Sequence, residues 1–342
     1  MERADFYALD SAGELIALLA PMEVQWNRKY YNVGDFSIQL PIGQYSSNIA
    51  YIYCNKRPEV GIVGKRQYKV DESGKSYVQI SGYFYEYKLE NDIIYPAYSG
   101  GQNDHVDVEV SNMITQYKTG EFAVATPSGF GTPCDFAPEL GKSLMDQSYD
   151  VLQLHECSQR IQYDYDNNNF SYSVWKGRDL TSDNTDGNNP VIFSLAFKNL
   201  KNPDVLLDDT PYKNYAVVHY NWHDTDLYEI VDNRSAGEEM KKVYIDASID
   251  SDDNLTEAQI RAKMIDSGKT ELNNSHSSTV NTSFNIVEGS YVYMQDFDLG
   301  DKISIVIDTI DYNEDVRIVA INEVFSSTGH TLNIEVGNKE VI

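Results

Sequence analysis

Cysteine is scarce in this chain. Its three cysteines, Cys54, Cys134 and Cys157, are odd in number and lie far apart in a sequence of 342 residues. A disulfide framework needs pairs of cysteines, and a zinc knuckle needs closely spaced ligands, so this spacing favours neither. We therefore expect the three thiols to be reduced packing residues.

Basic residues are few as well. Lys and Arg total 27 against 53 Asp and Glu, which gives a formal net charge of −26. Such a surface repels phosphate groups, so nucleic-acid binding and anionic-membrane binding are disfavoured. The simplest explanation of the excess of acidic residues is that they keep the protein soluble.

Long apolar runs are missing. No window approaches the roughly 20 apolar residues of a membrane span, and residues 1–5 lack the basic start of a signal peptide. The sequence therefore predicts neither membrane insertion nor Sec-type export.

Tyrosine, by contrast, is abundant, with 26 Tyr against 3 Trp, as is typical of half-buried strands. Residues 23–30 alternate between polar and apolar or aromatic side chains, and residues 36–40 do so again after the turn-forming residues 32–35. The pattern predicts a hairpin that Pro41 ends. It recurs at residues 68–70, 77–80 and 83–89, so we expect a small antiparallel barrel or sandwich.

The period changes to a helical one near residue 100. Val106, Val110, Met113, Ile114 and Tyr117 fall on one stripe, which predicts a helix. A second helix is expected after residues 146–148, with these side chains inward: Val151, Leu154, Cys157 and Ile161. A third is expected from a capping box of Thr256 and Gln259, with Ile260 and Met264 buried.

Further strands are predicted at residues 170–174, 191–195, 215–220, 291–293, 303–307, 316–320 and 332–336, with a mobile polar loop at residues 181–190. The fold class is therefore α+β, mainly β, with two small antiparallel β-barrels and an intervening α/β portion. We assign residues 1–96 to a first barrel, 97–200 to the α/β portion and 201–342 to a second barrel with a helix inserted near residues 256–272. These domains can be discontinuous.

Local motifs for chemistry are weak. His219 and His223 lie four apart in a strand-like segment, where about 13 Å separates them, so two ordinary sheet histidines are favoured over a metal site. Residues 164–168 and 250–254 imitate the start of a calcium loop, but both lack the required glycine and glutamate. Turn and helix-cap roles are expected there, and strand and turn at residues 61–65, which do not form a phosphate loop. We assign no catalytic, cofactor-binding or metal-binding residue.

Several ordered segments resemble siphophage tail proteins of the baseplate-hub, tail-associated-lysin type. They are residues 26–41, 176–181, 191–194, 199–200, 213–218 and 296–303, then 317–318 and 337. The motif residues, for which fold-determining roles are expected, are Trp26, Arg28, Tyr30, Gly34, Phe36, Leu40, Pro41, Gly177, Arg178, Asp179, Asn199, Asn214, Asp298, Leu299, Gly300 and Asp301. Asp298–Asp301 should turn the chain tightly into the strand that carries Ile303, and Trp26 should be a packing anchor.

The resemblance implies a homotrimeric, non-enzymatic hub in the virion tail, assembled in the host cytoplasm without a cofactor. Its expected partners are the distal tail protein ring and the tape-measure protein, and receptor-binding proteins or a host surface glycan are further candidates. Many relatives carry a C-terminal lysin or receptor-binding extension, and this chain ends soon after the last predicted barrel. A cell-wall hydrolase at the tip and a receptor-binding or glycan-binding module stay open as alternatives.

Overall fold

The computed structural model describes residues 4–70, 74–98, 104–118, 122–130, 133–134, 136, 138–249, 256–287 and 289–337. The chain folds into two compact units. The first combines residues 1–204 with residues 282–342, and the second consists of residues 205–281.

The first unit is built largely from strands. Its opening part contains β1 (Phe6–Leu9), β2 (Leu15–Leu19), β3 (Glu23–Lys29), β4 (Asp35–Pro41), β5 (Tyr51–Cys54), β6 (Val60–Ile62), β7 (Lys65–Val70) and β8 (Ser76–Tyr83), followed by a 3-10 helix at Tyr85–Asn91. Its middle part contains β9 (Asp104–His105), α1 (Val106–Tyr117), β10 (Ala123–Val124), β11 (Pro133–Cys134), α2 (Leu144–Leu154), β12 (Ser158–Asp164), β13 (Asn169–Trp175), β14 (Asp179–Leu180) and β15 (Ile192–Ser194).

The chain passes between the units through β16 (Leu200–Asp208) and β20 (Thr279–Ile286). The second unit holds β17 (Tyr215–Trp222), β18 (Thr225–Asp232), β19 (Lys242–Asp246) and α3 (Glu257–Asn274). The C-terminal strands of the first unit are β21 (Lys302–Ile307), β22 (Tyr312–Ser326) and β23 (Gly329–Gly337).

One large sheet joins strands from both ends of the chain. Its order is β16-β20-β23-β22-β3-β4-β8-β7, and β21 pairs with β22 and, in parallel, with β14 and β15. Trp26 of β3 lies opposite Phe36 of β4 on one side and Glu323 of β22 on the other. The expected N-terminal hairpin is present, and the C-terminal hairpin lies directly beside it.

The alternation of β3 and β4 buries one face of this sheet. Trp26, Phe36, Ile38 and Leu40 are buried in one core, which also includes residues of a smaller sheet with the order β2-β1-β5-β6. The Trp26 ring lies 4.7 Å from the Phe84 ring between centroids, within the range in which aromatic pairs attract. Trp26 is fully buried.

A second core lies in the α/β part of the first unit. Helix α1 buries Val106, Val110, Met113 and Ile114, as their spacing predicts, near the antiparallel strands β12 and β13. Ser143 caps the N-terminus of helix α2, and its hydroxyl accepts a hydrogen bond from the Asp146 amide at 3.1 Å. The helix therefore starts earlier than expected.

Helix α2 also ends earlier than the sequence suggests. Leu154 is its last residue and is 67% exposed, so the prediction that it points inward is wrong. Glu156 then adopts a left-handed φ of 57°, and Ile161 belongs to β12. Cys157 and Ile161 are buried as expected, but they lie beyond the end of the helix. Their spacing mimics another helical turn, which is why the sequence suggested a longer helix.

Two further strand predictions are wrong. Residues 85–91 form a 3-10 helix after β8 ends at Tyr83, and it buries Tyr85, Glu86 and Leu89. Residues 291–296 form a turn with an isolated bridge between Tyr293 and Phe297. In both segments alternating tyrosines produced a strand pattern that local turns override. Residues 181–190 form a surface loop, as expected, and its mobility stays a prediction.

In the second unit, α3 packs on a three-stranded sheet with the order β18-β17-β19. The Thr256 and Gln259 capping box is confirmed, and Ile260 and Met264 are buried as expected. A Cβ atom at Gly268 would lie 2.6 Å from Val218 Cγ2, so the glycine lets the helix approach the sheet closely.

The three predicted domains stay a prediction. Residues 1–96 and 97–200 belong to one unit, whereas the predicted segment 201–342 is divided between both units. The fold is mainly β with several antiparallel pairings, as predicted, and separate barrels stay a prediction.

Candidate functional site

Three of the motif segments meet in the first unit. Arg28 and Tyr30 come from the end of β3, Gly177–Asp179 from the segment after β13, and Asp298–Asp301 from the turn before β21. Gly177 and Gly300 let two of these segments approach closely, because a Cβ atom at Gly177 would overlap the Gly300 carbonyl. We call this region the motif junction and consider it the candidate functional site.

The Asp298–Asp301 segment is a tight turn, as predicted. The Asp301 amide donates to the Asp298 carbonyl at 3.2 Å, and Gly300 takes a φ of 82°. A Cβ atom at Gly300 would overlap the Tyr30 ring and lie 2.9 Å from Trp175 Cη2. Both the left-handed backbone and the lack of space therefore require glycine here.

Tyr30 connects the three segments. Its ring packs edge-on against Trp175 with 4.9 Å between centroids. Its hydroxyl accepts a hydrogen bond from the Gly177 amide at 3.2 Å and donates to the Glu156 carbonyl at 3.1 Å. Burial raises the pKa of Tyr30 far above its ordinary value, so the hydroxyl is a fixed structural donor.

Asp301 anchors the segment after β13. Its carboxylate accepts from the Arg178 amide at 2.7 Å, from the Arg178 guanidinium at 2.7 Å and from the Asp298 amide at 2.9 Å. The carboxylate is buried, whereas Arg178 is partly exposed. The hydrogen bond that Arg178 donates to Asp301 raises the pKa of Arg178.

Arg28 lies at the centre of a buried ion network. Its guanidinium donates to Glu59 at 2.7 Å, to Asp298 at 2.6 Å and to the Tyr293 hydroxyl at 2.7 Å. Burial alone lowers the pKa of Arg28, but Asp298 and Glu59 outweigh it, and the net shift is upward. The N-terminal strand is thereby joined to the turn before β21.

A second buried carboxylate extends this network. Glu323 of β22 has no exposed side-chain surface and accepts from Arg57 Nε at 2.6 Å and from His330 Nε2 at 2.9 Å. Burial raises the pKa of Glu323, but the hydrogen bonds from Arg57 and His330 lower it more. We missed Glu323 because it interrupts an apolar run without a recognisable motif.

Glu156 connects the α/β part of the first unit to the motif junction. Its carboxylate pairs with Lys302 at 2.8 Å, Arg317 at 3.1 Å and Lys176 at 3.4 Å. Burial opposes ionisation of Glu156, but these three cations lower its pKa. Glu156 was also missed, since no local pattern reveals partners 146 and 161 residues away.

The remaining motif residues serve local packing outside this network. Gly34 lies where a Cβ atom would overlap the Asn27 carbonyl and Phe84, and Leu299 is buried. Asn199 braces a loop by accepting from the Ser194 amide at 2.7 Å and donating to the Ile192 carbonyl at 2.7 Å. Asp179 accepts from the Thr181 amide at 3.0 Å, and Pro41 ends β4.

Asn214 belongs to the second unit. Its amide donates to Glu238 at 2.8 Å and accepts from the Lys241 backbone at 2.8 Å, so it braces a loop there. His219 lies on the open face of the sheet between Asp226 at 3.0 Å and Asp246 at 2.6 Å, and these carboxylates raise its pKa. His223 takes a left-handed φ of 49° in the hairpin turn.

The first calcium-like stretch and two of the cysteines have structural roles. The described part of the chain contains no cluster of three or more potential metal ligands. Asp164 accepts from the amides of Asp166 and Asn167, so the first calcium-like stretch caps a turn; residues 250–254 lie outside the described residues. Burial raises the pKa of Cys54 and Cys157 to about 11, so both thiols are protonated packing groups at neutral pH.

A cleft of about 950 Å³ lies beside the network. Arg57, Tyr293 and His330 line it, and each of them interacts with Glu323. The geometry thus connects distant parts of the chain through paired charges with at least one buried partner in each pair. Among the described residues, no helix is long and apolar enough to cross a membrane.

Comparison with solved structures places this fold among tail proteins. The 43 kDa tail protein of prophage MuSo2 from Shewanella oneidensis is 14% identical, with a TM-score of 0.61 and 98% of both chains covered. A tail protein from Neisseria meningitidis is 10% identical, with a TM-score of 0.60, over 98% of this chain and 97% of that one. A component of the Escherichia coli type VI secretion system, described as similar to the T4 tail proteins gp27 and gp5, is 8% identical, with a TM-score of 0.50, over 98% and 76%.

The fold is therefore that of phage and prophage tail proteins and resembles that of baseplate hub proteins. The profile of the Siphovirus ReqiPepy6 Gp37-like proteins matches residues 123–338, which is more than half of the chain. The chain belongs to this family. A search of curated proteins found no match.

Proposed function

We propose that this protein is a structural baseplate hub of a long-tailed phage or prophage, in which three copies close a ring between the tail and its tip. The observation that carries this proposal is the fold, because the likeness to two tail proteins extends over 98% of the chain. Membership of a siphovirus family supports the same role.

The motif junction suits a protein that must hold its shape under tension. A hub must keep its shape while the tail and the tip pull on it, and buried charge pairs that span the sequence give such a connection. Arg28 is joined to Asp298, and Arg57 to Glu323, across 270 and 266 residues. We infer a non-enzymatic role from these fixed groups and from the buried, protonated thiols.

The negative charge suits the passage of DNA. A ring with an acidic inner surface would repel the DNA backbone and keep it from adhering during ejection. We propose that the net charge of −26 serves this purpose and that the ring opens to let DNA through. A reconstruction of the ring with acidic residues only on its outer surface would contradict this part.

The proposed partners are the distal tail protein ring, the end of the tape-measure protein and further copies of this chain. Light scattering on the purified protein tests the trimer, whose expected mass is three times 38.8 kDa. Mixing with the distal tail protein should then produce a larger complex. A protein that stays monomeric at all concentrations, both alone and with that partner, would contradict the hub proposal.

The open face of the second unit favours receptor or glycan binding as a second candidate. Tyr228 and Tyr244 are 53% and 55% exposed there, on either side of His219 and its two aspartates. Exposed aromatic faces beside carboxylates can stack on sugar rings and accept hydroxyl hydrogen bonds. A glycan array separates the candidates: binding that Tyr228→Ala and Tyr244→Ala abolish would support this role, and no binding would remove it.

A further inference from the structure

A small polar cavity lies next to the motif junction. Its volume is about 20 Å³, and the residues that line it include Glu59, Glu86, Gln159 and Trp175. A cavity needs roughly 10–15 Å³ of such volume to hold one water molecule. The space therefore suits a single small occupant.

Unpartnered polar atoms are concentrated around this cavity. Eight buried side-chain nitrogen or oxygen atoms in the described residues lack a hydrogen-bond partner. Four of them belong to side chains that line the cavity: Glu59 Oε2, Glu86 Oε2, Gln159 Nε2 and Trp175 Nε1. Each such atom costs about 1–3 kcal/mol if it stays unpaired, so this concentration indicates a ligand.

Three of these side chains are fixed by their other polar atom. Glu59 Oε1 accepts from Arg28 at 2.7 Å, Glu86 Oε1 from the Ile161 amide at 2.7 Å, and Gln159 Oε1 from the Tyr172 hydroxyl at 3.0 Å. The Trp175 ring is held by Tyr30 and by the Arg160 guanidinium, 4.9 Å from its centroid. The unpaired atoms therefore cannot easily turn toward other partners.

We propose that this cavity binds one ordered water molecule, which donates to Glu59 and Glu86 and accepts from Gln159 and Trp175. Burial raises the pKa of Glu86 to about 7, and its ionised form supplies the second acceptor beside Glu59. Two acceptors and two donors then match the full hydrogen-bonding capacity of water. A metal ion fits poorly, because the nitrogens of Gln159 and Trp175 carry protons and Arg28 and Arg160 already line the cavity. The water connects the loop before β6, the 3-10 helix and strands β12 and β13, and this inference does not depend on the proposed hub role.

The indole N–H groups provide a direct test, since the chain has only 3 Trp. The full-length protein is labelled with ¹⁵N-tryptophan, and rotating-frame cross-relaxation from each indole proton to water is measured. Trp175→Phe and Trp26→Phe assign the signals. Cross-relaxation has the opposite sign to chemical exchange, so a bound water is distinguished from exchange of the indole proton.

Trp26 is the matched control. Its Nε1 atom is also buried and unpartnered, but it lies among Phe6, Phe36 and Phe84, and Trp26 does not line the cavity. We expect a cross-relaxation peak to water at Trp175 and none at Trp26. No peak at Trp175, or equal peaks at both, would overturn the proposal.

Tyr149 also lines the cavity and carries an exchangeable hydroxyl proton, so the measurement is repeated with Tyr149→Phe. Persistence of the Trp175 peak supports a bound water, and its loss would show that the hydroxyl was the source and overturn the proposal. A high-resolution crystal structure gives an independent reading. Density for one water within hydrogen-bond distance of the four atoms is expected. A cavity that is filled by apolar side chains and shows no water density would contradict the proposal.

Discussion

Glu323→Gln perturbs the buried network with the least change of shape. The carboxylate is fully buried and faces Arg57 and His330. The amide keeps the volume but removes the negative charge, so the Arg57 side chain, which is only 7% exposed, loses its main counterion. Removal of one partner from a buried ion pair costs about 3–5 kcal/mol, and we expect a loss of that size in the free energy of unfolding.

The assay is urea unfolding followed by tryptophan fluorescence in a Trp222→Phe background. Trp26 and Trp175 then report on the first unit alone, because Trp222 belongs to the second. Glu314→Gln is the matched control, since Glu314 lies on the same strand but is exposed, and its loss should stay within about 0.5 kcal/mol. Equal losses in the two variants, or a loss below about 1 kcal/mol for Glu323→Gln, would refute the reasoning.

The pH dependence of this site has a definite sign. The pKa of Glu323 is lower in the folded protein than its ordinary value, because Arg57 and His330 stabilise the carboxylate. The stabilisation is therefore present above the unfolded pKa and is lost as the pH falls through the folded pKa. Wild type and Glu323→Gln should accordingly converge in stability toward acidic pH.

Three further predictions concern other sites. Gly300→Ala should destabilise the protein by more than Gly141→Ala, because both glycines have a φ above 80° but only Gly300 faces Tyr30 and Trp175; equal changes in melting temperature would contradict the steric argument. His219 should titrate above its usual range in NMR, and Asp226→Asn should lower its pKa, while an unchanged value would show that the carboxylate does not act on it. Any stability from that pair is present below the unfolded pKa of the histidine, while Asp226 is ionised, and is lost as the pH rises through the folded pKa. Cys54 and Cys157 should react with a thiol reagent at pH 8 far more slowly in the folded protein than in urea, since burial raises both pKa values to about 11; rapid reaction when folded would contradict their burial.

Local sequence patterns predicted the elements in which buried residues recur at one regular spacing. The alternation around Trp26 and Phe36, the stripe from Val106 to Ile114 and the capping box at Thr256 each depend on neighbours within a few residues. The same reasoning failed at Cys157 and Ile161, where strand burial coincides with helical spacing, and at Tyr85 and Tyr293, where turns interrupt the alternation.

The motif junction could be predicted only in part. Gly300 and Asp301 could be identified from the sequence because a tight turn requires glycine. Arg28 and Arg178 were identified by the resemblance. Glu156 and Glu323 could not be found in this way, since their partners come from distant segments. The shared sheet formed by β3 and β22 was also missed, because strand pairing across almost 300 residues leaves no local signal.

Immunogold labelling of induced phage or tail particles with antibodies against this chain tests the hub proposal most directly. The account predicts label at the distal end of the tail. Particles that carry no label, with the protein found only in the soluble fraction of the lysate, would contradict it.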